Sequence, residues 1–130
     1  MTGFPWTTLA TLLVLLHYVI LGMLVSRARG RHGVMAPTVT GHPAFERIYR
    51  VHLNTLEQLP VILPLMWLGA ANIGDAWGAL GGLAWVAGRV IYVRAYLADP
   101  ARRTMGFVIA GVPVVALFLA ILIAIGMRWL

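Results

Sequence analysis

The sequence predicts an all-α, integral membrane four-helix bundle, and three observations carry that prediction. Hydrophobic residues make up 61% of the 130-residue chain, whereas soluble domains run near about 45–50%. The apolar residues fall into four stretches, each a candidate for the roughly 20-residue helix that crosses a bilayer. The cations cluster between those stretches, as the flanking charges of membrane spans do. The length allows one domain, residues 1–130.

The first span is read at 5–25, "PWTTLATLLVLLHYVILGMLV". Pro5 suits a first helical turn. No charged leader or small-residue cleavage site precedes the apolar run, so it reads as a retained span. The last span, 105–127, carries no charge. The third, 76–97, is apolar apart from Arg89, Arg94 and its tyrosines. The second needs more argument. Its purely apolar part, Leu59 to Ala71, is 13 residues long, too short to cross alone. The helix must therefore recruit the polar stretch "ERIYRVHLNTLEQLP" before it, which sets the span at 45–71 and takes Arg50, Asn54 and Glu57 into the membrane. Pro60, Pro64 and Pro113 fall inside spans, where membrane helices tolerate them.

The connections are then 26–44, 72–75 and 98–104. The first holds Arg27, Arg29 and Arg31, the third Arg102 and Arg103, and the second only Asp75. By the positive-inside rule, 26–44 and 98–104 are cytoplasmic and both termini external.

Composition also excludes. There is no cysteine, hence no disulfide, thiolate metal site or thiol nucleophile on the protein. The net charge is +6, but the arginines sit beside apolar segments, so membrane-side bias explains them and no nucleic acid is expected. His32 and His42 lack metal-ligand spacing, and no metal is expected; His17 reads as a packing residue. Gly78 and Gly82 have the spacing that permits close helix contact.

On a helical wheel Arg50, Asn54 and Glu57 fall within about 60° of one another, while His52 points the other way. Arg89, Tyr92 and Tyr96 share a face of the third helix at i, i+3 and i+7. The two faces can line one cavity, capped by Arg102 and Arg103. An ion pair of Glu57 with Arg50 or Arg89 would be the plainest reason for charges at this depth, where each ionised group costs at least ~2.5–3.5 kcal/mol. It leaves Asn54 and the tyrosines unexplained. Arginine forks match carboxylates, and Asn, Glu and Tyr read amide and ammonium groups. The set reads as a pocket for a polar, anionic ligand.

"FERIYRVHLNTLEQLP", "GRVIYVRAY" and Arg103 seven residues after Tyr96 resemble the MAPEG family, the membrane-associated proteins of eicosanoid and glutathione metabolism. "RARG" and "APTVTGHPAFER" look most like its bacterial microsomal glutathione transferases. The resemblance covers nearly the whole chain. It implies a homotrimer, with glutathione as co-substrate bound between neighbouring subunits and membrane lipids around them. It also implies location in the bacterial inner membrane. By position, Arg50, Asn54, Glu57, Arg89, Tyr92 and Tyr96 match the family's glutathione-binding residues. Arg103 matches the catalytic arginine that holds the thiolate, and Thr104 follows it where the family's prostaglandin synthase has a serine. Arg29 and His52 match positions that reach the site from the adjacent subunit.

The implied activity is glutathione transfer to a lipophilic electrophile from the bilayer, with glutathione peroxidase activity as a second expectation. The absence of cysteine fits, because the reacting thiol then arrives on the ligand. Gln58 stands where the family's leukotriene C4 synthase has Tyr, and Gly30 where it has a second arginine, which argues against leukotriene synthesis. A non-catalytic glutathione- or lipid-binding scaffold is the alternative, and a small transporter or structural bundle a third reading.

Overall fold

The computed structural model describes residues 3–130, as four helices: α1 (Pro5–His32), α2 (Pro43–Ile73), α3 (Asp75–Ala98) and α4 (Arg103–Arg128). A 3₁₀ turn, Pro100–Arg102, leads into α4. All four helices are long and apolar enough to cross a membrane. The helices α2 and α3 each pack against both α1 and α4 and form the centre of the bundle.

The helices outrun the apolar stretches. Helix α1 continues seven residues past Val25, so the expected connection 26–44 shortens to 33–42. "SRARGRH" has strong helix formers, and its cations Arg29 and Arg31 sit at the negative end of the helix dipole. Gly33 stops the helix in the left-handed region (φ 67°), and Val34 N–H donates to Arg29 O at 3.1 Å, the hydrogen bond of a Schellman cap. Similarly, α4 begins at Arg103 rather than 105. Pro60, Pro64 and Pro113 lie within continuous helices.

Asp75, at the start of α3, also closes the start of α1. Its carboxylate accepts from Trp6 N–H at 2.9 Å and Thr7 N–H at 2.8 Å, and the Thr7 hydroxyl donates to its carbonyl at 3.0 Å. First-turn amides have no partner within their own helix, so one carboxylate satisfies two of them across 68 residues of sequence.

Two buried layers hold α1, α2 and α3 together. One joins Val14, Ile62, Met66 and Trp85. The other, nearer the 33–42 loop, joins Leu21, Val25, Phe45, Ile48, Val51 and Tyr92. Leu65 meets Leu117 and Ile121 of α4 in a third. In lipid, such contacts gain little from expelling water, so close packing and hydrogen bonds carry more of the stability. Gly106 shows how close: a Cβ there would lie 2.5 Å from Tyr92 Cα. Gly78 and Gly82 are likewise buried, both against Met66 of α2. By contrast, 17% of the most apolar window of α4 is buried, so most of that helix faces outward.

Asp75→Ala removes the carboxylate that closes α1, and we expect its midpoint of thermal unfolding in detergent to fall by several degrees. Gly106→Val is expected to lower it further, because α4 can no longer approach Tyr92. An unchanged midpoint in either variant contradicts the corresponding contact.

Candidate functional site

One face of α2 forms the floor of a groove with three connected lobes. The middle lobe, about 360 Å³, is lined by Arg50 and Asn54 of α2, Tyr92 and Tyr96 of α3, and Arg103, Thr104 and Phe107 of α4. The outer lobe, about 440 Å³, shares Arg50 and Tyr96 and adds Glu46, Arg47 and Tyr49. The deeper lobe, about 320 Å³, shares Asn54, Tyr92 and Phe107 and adds Glu57, Gln58 and Arg89. The i, i+4, i+7 spacing of Arg50, Asn54 and Glu57 thus runs down one groove, as one helical stripe does.

The walls are fixed by hydrogen bonds. Asn54 Nδ2 donates to the Tyr92 hydroxyl at 2.7 Å and ties α2 to α3. Tyr92 is buried, and its ring lies 5.7 Å from that of Tyr96. The Arg89 guanidinium packs under Tyr92, 4.1 Å from the ring centroid. Its Nη2 donates to Thr55 Oγ1 at 2.6 Å and to Val51 O at 3.4 Å. Arg89 has 0% exposure, and its Nε and Nη1 have no partner among the described residues.

The groove brings together Arg50, Asn54, Tyr92, Tyr96 and Arg103 in the middle lobe. Glu57 and Arg89 lie one lobe deeper. Neither forms a salt bridge: among the described residues the one such pair is Arg102 with Asp99, at 3.8 Å. The ion pair considered as a packing device is absent. Arg29 and His52 lie away from the groove of their own chain. Arg29 donates to Thr38 O at 2.6 Å and lies over Phe45 at 4.7 Å. His52 stacks on Tyr18 of α1 at 4.6 Å, on the opposite side of α2 from Arg50 as the wheel required. His17 lies edge-on to Trp85 at 6.2 Å, in the packing role expected of it. No cluster of three metal-ligating side chains occurs among the described residues.

Three residues escaped the sequence reading. Thr55 anchors Arg89; its signal was a hydroxyl mid-span, where Thr bonds the carbonyl four residues back, here Val51 O at 2.8 Å. Phe107 supplies the apolar wall and stands four residues after Arg103. Gln58 was noted only as a departure from a Tyr; its Oε1 accepts from Trp85 Nε1 at 2.9 Å, so it braces α2 against α3.

Chemically, the groove offers Arg47, Arg50 and Arg103 with Glu46 and Glu57 along its length. Arg103 is also the first residue of α4, so the positive end of that helix dipole adds to its charge. The arrangement suits an elongated ligand with several anionic groups and a cationic one, next to an apolar wall. A four-helix bundle with such a groove defines the class: an integral membrane protein with a polar groove between its helices. The sequence matches the MAPEG family over residues 7–123, and the chain belongs to that family. It is 38% identical to an uncharacterized protein of Synechocystis over 95% of this chain and 90% of that one. It is 35% identical to microsomal glutathione S-transferase 2 of Mus musculus over 64% of this chain and 56% of the relative. To leukotriene C4 synthase of Cavia porcellus it is 36% identical, over 66% and 57%. The alignment therefore spans little more than half of these two mammalian relatives.

Thr55→Val keeps the shape of the side chain and removes the partner of a buried guanidinium. A hydrogen bond to a charged group is worth about 1.5–3 kcal/mol. We expect a loss of stability of that order in reversible unfolding; none at all would mean that Arg89 is held by other contacts.

Proposed function

We propose that this protein is a membrane glutathione transferase, in which the groove binds glutathione and Arg103 holds its sulfur as thiolate. The observation that carries the reading is the convergence of Arg103 with Arg50, Asn54, Tyr92 and Tyr96 on one lobe. The similarity to microsomal glutathione S-transferase 2 supports the choice of glutathione over other anions. Glutathione carries two carboxylates, an ammonium group, two amides and a thiol. Arg50 would take a carboxylate as a fork, Glu57 the ammonium, and Asn54 and Tyr96 the polar groups between. Tyr92 presents its hydroxyl to Asn54 and would orient that amide. Arg89 would hold this wall in place and offer its Nε and Nη1 hydrogens to the deep end.

A free thiol has a pKa near about 8.5, which an adjacent cation lowers. Arg103 and the α4 dipole would therefore favour loss of the proton to solvent at the groove mouth. The thiolate then forms a bond to an electrophilic carbon, and the leaving group departs with its electron pair. An apolar acceptor would reach the sulfur from the bilayer, past Phe107. The same thiolate attacking a hydroperoxide oxygen would release the alcohol, and a second glutathione would reduce the sulfenic acid to disulfide and water.

Arg29 and His52 lie away from their own groove, which leaves them available to complete a neighbour's site in the homotrimer that the resemblance implies. In this reading the 33–42 and 99–102 connections face the cytoplasm, where glutathione is, and the membrane is a bacterial inner membrane.

Purified protein should conjugate glutathione to a chlorodinitrobenzene acceptor. Arg103→Ala should lower kcat by about 10², the cost of removing one electrostatic stabiliser, and weaken glutathione binding far less. The deficit should shrink as pH rises and the thiol ionises unaided. Equal rates in mutant and wild type remove Arg103 from the mechanism, and glutathione binding with no turnover over a broad acceptor panel points to the non-catalytic scaffold. Arg29→Ala and Arg103→Ala subunits, each impaired alone, should recover part of the activity when assembled together, because some interfaces then carry both arginines. Without recovery, Arg29 does not act across the interface.

A further inference from the structure

A second hollow, about 320 Å³, lies outside the groove, at the loop end of the bundle between α1, the start of α2 and the end of α3. Arg27, Arg31 and His32 of α1 and Arg47 of α2 line its rim, and no carboxylate does. Arg47 is shared with the outer lobe of the groove; the other three are not. The floor is apolar, from Leu24 and Leu97, which are 37% and 36% exposed. A helix dipole accounts for basic residues in the last turn of α1. It does not account for an arginine of another helix on the same hollow, or for the lack of any acid there.

The face of α1 that leads to the hollow supplies a second observation. Leu16, Ile20, Leu24, Arg27 and Arg31 recur at spacings of four, four, three and four, so they lie on one side of the helix. The three apolar members are exposed, at 52%, 46% and 37%. The stripe is thus apolar and outward-facing for two turns, then doubly basic past Val25, where the expected span ends. That gradient matches an amphiphile lying along the helix. A water-soluble phosphate would have no use for the apolar part.

We infer that this hollow is a binding site for the headgroup phosphate of an anionic phospholipid, with Arg27 and Arg31 as its ligands and Arg47 closing the third side. One acyl chain lies along Leu24, Ile20 and Leu16. Basic hollows at the ends of membrane helices recognise anionic headgroups through the same charge complementarity. The site does not rest on the glutathione reading, since its two ligands Arg27 and Arg31 do not line the groove; Arg47 borders both.

The test is native mass spectrometry of the full-length protein, released from micelles holding equal amounts of phosphatidylglycerol and phosphatidylcholine. Wild type should retain phosphatidylglycerol about tenfold over phosphatidylcholine, as two surface arginines allow. Arg27→Gln with Arg31→Gln should bring the ratio close to one, and Arg27→Lys with Arg31→Lys should preserve most of it. Arg94→Gln removes an exposed cation that does not line the hollow and should change nothing. Three results would overturn the inference: no preference in wild type, an equal loss in Arg94→Gln, or displacement of the lipid by millimolar glycerophosphoglycerol. The last would make the hollow a site for soluble phosphates instead.

Discussion

A guanidinium with no exposure, in the middle of a membrane bundle, is the constraint on which the rest of this structure depends. An ionised arginine away from water must be paired, hydrogen-bonded or wet. Arg89 meets that demand in part, through Nη2, which donates to Thr55 Oγ1 and Val51 O of α2, and by lying under the Tyr92 ring; its Nε and Nη1 have no partner among the described residues. These contacts fix how α2 sits against α3. They place Tyr92 where Asn54 can donate to it, and Asn54 stands on the stripe that carries Arg50 and Glu57. The helix contact and the groove wall are one hydrogen-bonded unit.

The fourth helix completes the groove by close approach. Gly106 lets the backbone of α4 press against Tyr92, and that contact brings Arg103, Thr104 and Phe107 over the middle lobe. The thiolate-holding role proposed for Arg103 thus rests on a glycine one turn away. The exposed faces of α1 and α4 are the other side of the same economy. A membrane protein need not bury all its leucines, because lipid is as apolar as they are, so the interior can hold polar groups such as Thr55 and Arg89 beside its apolar layers.

The chain's own charge pattern separates two recognition problems. The groove mixes arginines with Glu46 and Glu57 and so suits a ligand of mixed charge. The hollow at the end of α1 has only basic rim groups and an apolar floor, which suits an anionic amphiphile. The hollow and the outer lobe of the groove lie at the loop end of the bundle, where the apolar stretches give out, whereas the groove runs on to the buried Arg89.

How much of this the sequence determined by itself follows from what periodicity encodes. It determined the four long apolar helices, because length and apolar content suffice, and the short apolar run Leu59–Ala71 called for a helix that takes in the polar stretch before it, as α2 does. It determined that Arg50, Asn54 and Glu57 share a face and that His52 does not, because these are angles within one helix. The helix ends were legible only in part: "SRARGRH" reads as a charged connection, yet nothing in it stops a helix before Gly33. What lay beyond the sequence was every relation between helices. Arg89, Tyr92 and Tyr96 share a face on the wheel, but only the packing decided that the tyrosines line the middle lobe while Arg89 lies beneath them, held by Thr55. Asp75 read as a lone acid in a short turn, and only the tertiary structure made it the cap of α1. The physical reason is the same in each case. A wheel fixes the direction of a side chain about its own axis, whereas its partner is set by where another helix arrives.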